Sequence, residues 1–251
     1  MVLVPATRLP AWLFAAALFL GRCVLFLAVA FGASGILQRL FHDTTGVGMS
    51  SVQAQADLFG RAARTVADLV ATIPAAAWAG PGLGDWDLRA LVGHTSRSLL
   101  TVEAYLNQPA AVEDLAGPVD YLLAIGRVDA SSVVERGRAA GHALGDDPGA
   151  AVRAIVDRVL PLLDRDDDPL VTTIFGGMRL STYLPTRSFE LVVHGLDVAD
   201  ALGAPAPAFG APLWSLALGL ASEVAARGDR APALLRALTG RHSLPEGFSV
   251  V

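Results

Sequence analysis

DWDLRALVGHTSRSLLTVEAYLNQP, residues 85–109, is the stretch on which the fold turns. It spells a helix with both ends marked. Asp87 carries the short carboxylate of an N-cap, able to accept from the free backbone N–H groups of a first turn. Trp86 before it and Leu91 four helical positions in would close a hydrophobic staple. The predicted helix runs from about Leu88 to Leu106 and is stopped by Asn107 and Pro109.

Similar elements lie on either side. Upstream, Leu58, Val66, Leu69, Val70 and Ile73 recur at helical spacing over Val52 to Ile73, and Pro74 closes that helix. AAAWAGPGLG, residues 75–84, is a Gly/Pro loop. Downstream, one helix is predicted over Val119 to Leu144, ended by Gly145, and a shorter one over Gly149 to Leu163. The acidic run DRDDDP (164–169) reads as a solvated loop. VTTIFGGMRL (171–180) has residues that favour a strand, but nothing else in the chain offers a partner, so an irregular connection is predicted. Leu184 to Leu202 is again helical, with Gly203 in the C′ position. PAPAFGAP (205–212) breaks the chain, and helices near Leu213–Arg227 and Ala231–Leu238 precede an irregular tail. With no repeat, heptad pattern or confident strand, the expected fold is all-α, and short loops favour antiparallel neighbours. Three parts are expected: an apolar segment over 1–48, a helix bundle over 49–203 and a helical extension over 204–251.

Composition narrows the function. Net charge is −5 and no Lys/Arg cluster stands out, which excludes a nucleic-acid footprint. Hydrophobic residues make up 53%, an excess that sits mostly in the first 40 positions. The only cysteine, Cys23, lies in that apolar run. Residues 49–251 therefore have no disulfide, and a metal there must be held by His and carboxylate; the lack of cysteine fits a reducing, cytoplasmic setting for the bundle.

Ala11 to Leu37 is long enough to span a bilayer. Arg22 near its centre argues against this, at about 2.5–3.5 kcal/mol on insertion scales. Three readings stay open. The segment is a membrane anchor, or a signal peptide with Ala28-Val29-Ala30 as a loose cleavage pattern. Alternatively translation begins at Met49, whose Ser50-Ser51 leads straight into an amphipathic helix, and residues 1–48 are an upstream extension.

Chemistry concentrates in ELVVH, residues 190–194. Glu190 and His194, four apart, share one face of a helix and can grip one metal ion. Arg187 and Asp197 extend that stripe by three residues each way, while Leu191, Val192 and Val193 are the residues expected to pack. Burying such a stripe is costly unless its groups pair or hold a metal. The alternative is a salt-bridged helix face with Arg187–Glu190 as a surface pair. His94, seven residues into its helix, bears on the choice. A lone histidine there is more often a satisfied core residue, but an antiparallel bundle can present it toward Glu190 and His194. Three N/O ligands with an open fourth position is the pattern of a catalytic zinc site.

GDWDLRALVGHTS (84–96) resembles the Trp–helix–His signature of the DinB-like metal-binding bundles, and more closely the metal-binding domain of mycothiol-dependent maleylpyruvate isomerases. RSFELVVHGLDVADALG (187–203) is similar to that family's second signature, a Glu and a His four apart before Gly-x-Asp. The two motifs occur in the expected order, and the resemblance covers roughly Val52 to Gly203. It implies a DinB-like four-helix bundle whose metal ligands fall on His94, Glu190 and His194. It also implies a divalent metal, usually taken to be zinc, and mycothiol as the thiol cofactor. In the isomerase the thiolate adds to the cis double bond of maleylpyruvate, the adduct rotates, and elimination returns the trans isomer. Related proteins transfer the thiolate to other electrophiles.

Asp197 is then a candidate to orient a ligand imidazole by a hydrogen bond, against simple solvation. Arg187 is a candidate to bind a carboxylate of cofactor or substrate, against a surface ion pair. Trp86 reads as a staple more than a substrate contact. His142 and His242 sit in polar, loop-like settings and are expected to be solvated; His42 falls in the doubtful segment. One departure matters: the full isomerase carries a C-terminal α/β domain, whereas 48 residues follow Gly203 here, so maleylpyruvate itself is not implied. Three functions compete: a metal- and thiol-dependent isomerase or transferase of a small electrophile, a non-catalytic metal module that is structural or sensory, and a metal-free bundle with a polar partner surface.

Overall fold

The computed structural model describes residues 51–251. The three readings of residues 1–48 lie outside them. Among the described residues no helix is long and apolar enough to cross a membrane.

Over the described residues the chain is all-α with one small hairpin. In order it forms α1 (Ser51–Ala71), α2 (Leu88–Leu106), α3 (Pro118–Ile125), α4 (Ala130–Ala143), α5 (Pro148–Val159), a two-stranded hairpin, α6 (Leu180–Ala201), α7 (Ala211–Arg227) and α8 (Ala231–Leu238). Four helices make the bundle. Both α1 and α2 pack on α6 and on α5, so the order around the bundle is α1, α6, α2, α5. His94 on α2 thereby faces a neighbour of its own helix, the one carrying Glu190 and His194. The extra helices lie outside: α4 against α2, α3 against α6, and α7 against α6 and α3.

Each bundle helix turns an apolar stripe inward. Phe59, Ala62, Ala63, Val66 and Val70 of α1 meet Leu184, Leu191 and Val198 of α6 in one core. Leu91, Leu99 and Val102 of α2 and Val152, Val156 and Val159 of α5 belong to it too. A fully buried Leu, Phe or Val contributes about 1.5–3 kcal/mol, so this packing, and not the polar stripe, holds the bundle. The α2–α4 crossing is closer than side chains allow: a Cβ on Gly93 would stand 2.1 Å from the backbone nitrogen of Gly141.

Helix ends follow local chemistry. Asp87 caps α2, accepting from the Ala90 N–H at 2.7 Å. Gly203 closes α6 with φ +61, a left-handed conformation that glycine adopts without steric cost.

Three expectations need correction. The helix predicted over Val119 to Leu144 is two helices, α3 and α4. Asp129 caps α4 by accepting from the Ser132 N–H at 3.0 Å, and so starts a new helix where one continuous helix was expected. VTTIFGGMRL is not irregular. Its two halves pair with each other as β1 (Leu170–Thr173) and β2 (Gly176–Arg179), antiparallel, with Val171 opposite Met178. Gly176, at φ +120, closes the turn, and the loop at 108–115 adds bonds from Ala110 N–H to Leu170 C=O and from Thr172 N–H to Gln108 C=O. Finally, α6 starts a turn before Leu184, with Pro185 inside it. Asp168 supports that turn, accepting from Ser181 N–H at 2.8 Å and Ser181 Oγ at 2.6 Å, so the acidic run is not wholly a solvated loop.

Candidate metal centre

The structure brings His94, Glu190 and His194 together: one ligand atom from each lies within 4.8 Å of the others. Glu190 and His194 meet because they are a turn apart on α6, with Oε2 3.2 Å from Nε2. His94 reaches them across the α2–α6 contact, its ring 4.8 Å from that of His194 and nearly perpendicular to it. Leu191 and Val192, pointing the other way, are fully buried in the core.

Asp197, the next residue of the stripe, holds the far side of His194, with Oδ2 2.9 Å from Nδ1. With Nδ1–H donating to that carboxylate, Nε2 is left facing Glu190 and His94. Trp86 stacks over His94 at 4.5 Å between ring centroids. Its indole is fixed in turn by donating to the Val134 carbonyl at 3.0 Å and by the bare surface of Gly137, where a Cβ would collide with the ring. The residue predicted to be a staple is thus also the wall behind His94. His142 and His242 are exposed.

Arg187 is not on the surface. It is 7% exposed and forms no ion pair with Glu190. Its guanidinium lies against a pair of aromatic rings, with Cζ 4.8 Å from Tyr121 and 5.1 Å from Tyr183, whose own centroids are 5.5 Å apart. Tyr183 shares its helix face, one turn earlier, and was within reach of a spacing argument; so was Arg97, three residues after His94. Tyr121, brought in by α3, carries no signal in its local sequence.

Electrostatics separates the three donors. Burial, then the charge of His194, pulls the His94 imidazole down to about 4. Burial would lower His194 as well, but hydrogen bonds to Asp197 and Glu190 outweigh it and hold its proton up to about 9. For Glu190 burial acts upward and is overcome by the His194 hydrogen bond and the positive Arg187, which hold the carboxyl at about 2. Without a metal, the site is a neutral His94 beside a carboxylate–imidazolium–carboxylate chain.

These residues fit a divalent ion. His94 Nδ1 is buried with no hydrogen-bond partner, an arrangement that is costly unless something completes it. The donors are two imidazoles and a carboxylate, the set that suits zinc. Tetrahedral donors at bond lengths of about 2.0–2.2 Å sit about 3.4 Å apart, and the Glu190–His194 pair already has nearly that separation at 3.2 Å.

No curated protein and no solved structure matches the chain. The family model described as the mycothiol maleylpyruvate isomerase N-terminal domain matches residues 59–199. That range runs from the first buried aromatic of α1 to the last turn of α6 and contains every residue of the cluster, so the chain belongs to the mycothiol maleylpyruvate isomerase N-terminal domain family.

Proposed function

We propose that this protein is a metal- and thiol-dependent enzyme. His94, Glu190 and His194 hold one divalent ion, zinc by the donor set, for a low-molecular-weight thiol, mycothiol in this family. The reaction is isomerisation of a small electrophile or thiol transfer to it. The observation that carries the reading is the convergence of the three donor atoms within 4.8 Å. Bound there, a divalent ion would leave a coordination position for a thiol and lower that thiol's pKa, so that thiolate predominates at neutral pH.

The chain's own residues prepare this. His94 is neutral across the physiological range and keeps a lone pair available. Asp197 selects the His194 tautomer whose Nε2 faces the other donors. Trp86 covers one face of His94 and excludes water from it. Core packing of α2 on α6 holds the donors at their spacing.

A second reading, a structural or sensory metal module, is favoured by the low exposure of the donors, 15% for the His194 side chain and 17% for Glu190. Metal content of the purified protein by mass spectrometry, beside His94→Ala, is the first test; one ion per chain that the variant loses is expected. Absence of metal from the wild type even after zinc reconstitution would end the proposal. Titrating a thiol into the cobalt-substituted protein then divides the two metal readings. A charge-transfer band is expected for the enzyme, and its absence would favour the module.

A further inference from the structure

The last two helices carry an apolar face that the rest of the molecule leaves uncovered. No residue of α8 is buried. Leu235 and Leu238, one turn apart, are 64% and 67% exposed, and Leu218 on α7 is 61% exposed. Scattered exposed leucines need no explanation, but a contiguous group does. Leu235 and Leu238 line one groove of about 510 Å³, together with Pro232 and Leu234 of α8 and Ser222 of α7. Leu218 lies one turn before Ser222, on the same side of α7.

This end of the chain also differs in charge. Residues 227–251 hold four arginines, Arg227, Arg230, Arg236 and Arg241, against two acids, Asp229 and Glu246, in a chain whose net charge is −5. Arg227 is paired with Asp120 and Glu223. The other three arginines are exposed and form no ion pair among the described residues. Arg230 and Arg241 donate to carbonyls, of Val250 and Thr239, which leaves their charge unneutralised. Arg236 lines the groove. Arg241 is held beside it, its backbone N–H donating to the Arg236 carbonyl at 2.8 Å. Arg230 stands at the opposite end of α8, in the N-cap position. The leucines are thus flanked at both ends by cations that lack an acid.

That combination narrows the occupant. A second copy in two-fold contact would set the arginine rim against itself, like charge on like. A partner peptide would need recessed apolar walls, whereas Leu218, Leu235 and Leu238 project. A bilayer with anionic headgroups answers both features. Projecting leucines can enter the acyl boundary, and arginine stems can lie along it with their guanidinium groups among the headgroups.

We propose that the α7–α8 corner docks on an anionic lipid surface, with Leu218, Leu235 and Leu238 inserted and Arg230, Arg236 and Arg241 on headgroup phosphates. The corner lies outside residues 59–199, which the family model matches, and the proposal is independent of the metal reading.

Cosedimentation of the full chain with vesicles tests it, comparing phosphatidylcholine alone with equimolar phosphatidylcholine and phosphatidylglycerol. Wild type is expected to prefer the anionic vesicles and to lose that preference at high salt. Arg236→Gln with Arg241→Gln should weaken anionic binding about 25-fold, roughly fivefold for each charge. Leu235→Ser with Leu238→Ser should weaken it at least about tenfold. All four side chains are exposed, so both double variants should keep the wild-type helical circular-dichroism signal. They also keep residues 1–50, so a difference from wild type reads the α7–α8 corner alone. Wild type that binds neither vesicle, or both equally, would overturn the proposal, as would either double variant binding like wild type. A dimer in analytical ultracentrifugation that the leucine variant loses, with no preference for anionic vesicles, would give the face to a second copy instead.

Discussion

At the scale of single residues, the site works through the proton on His194. In the metal-free protein that proton is held up to about pH 9 between Asp197 and Glu190, while His94 is neutral above about pH 4 and Glu190 is ionised above about pH 2. Metal uptake between those limits must expel one proton, from His194. Apparent metal affinity should therefore fall about tenfold for each unit of acidification from about pH 8 to about pH 5, measured by competition with a chelator. A flat profile over that window would remove His194 from the ligand set. Asp197→Asn should weaken metal binding about 10–100-fold by loosening the tautomer and orientation of His194; unchanged affinity would mean that the carboxylate is merely solvated. His194→Ala should bind no metal tightly yet keep the helical circular-dichroism signal, because the core supplies the stability; collapse of that signal would make the metal structural. The pairing of Glu190 with His194 was legible because one helix enforces it through spacing. The setting of Arg187 was not: the aromatic partner that buries it from outside its helix, Tyr121, is 66 positions away.

At the scale of elements, what the chain marks locally was legible. Asp87, Pro109 and Gly203 punctuate α2 and α6 by cap and breaker chemistry that needs no tertiary partner. The β1–β2 hairpin was missed because two glycines, Gly176 and Gly177, stand where strand residues were sought, and because the loop at 108–115, distant in sequence, also hydrogen-bonds to it. The break between α3 and α4 was missed because the cap at Asp129 lies inside an otherwise helix-compatible run. Close approach of α2 and α4 gives a test. Gly93→Ala places a Cβ 2.1 Å from the Gly141 nitrogen, an overpacking that should cost about 1–3 kcal/mol or more and lower Tm by roughly 3–10 °C. Gly219→Ala on α7, where nothing lies within 4 Å, should instead hold or raise Tm. Equal effects in a thermal melt would mean that the crossing is looser than described.

For the whole molecule, the proposed metal site would link metal binding to folding. A divalent ion at a hundredfold its Kd should add about 2.7 kcal/mol, or roughly 5–10 °C in Tm for a domain of this size. Scanning calorimetry with zinc and with chelator should show that shift in wild type and none in His194→Ala. A shift of the same size in both would place the ion elsewhere. The Trp86 ring, 4.5 Å from that of His94, has a use beyond covering it. Excited indoles are quenched by neighbouring charge, so the emission of this one tryptophan among four carries a running record of what its imidazole neighbour holds. If the triad holds the ion, the protein carries its own optical gauge of loading. Trp86→Phe should silence it and leave the other three, Trp12, Trp78 and Trp214, as a constant background.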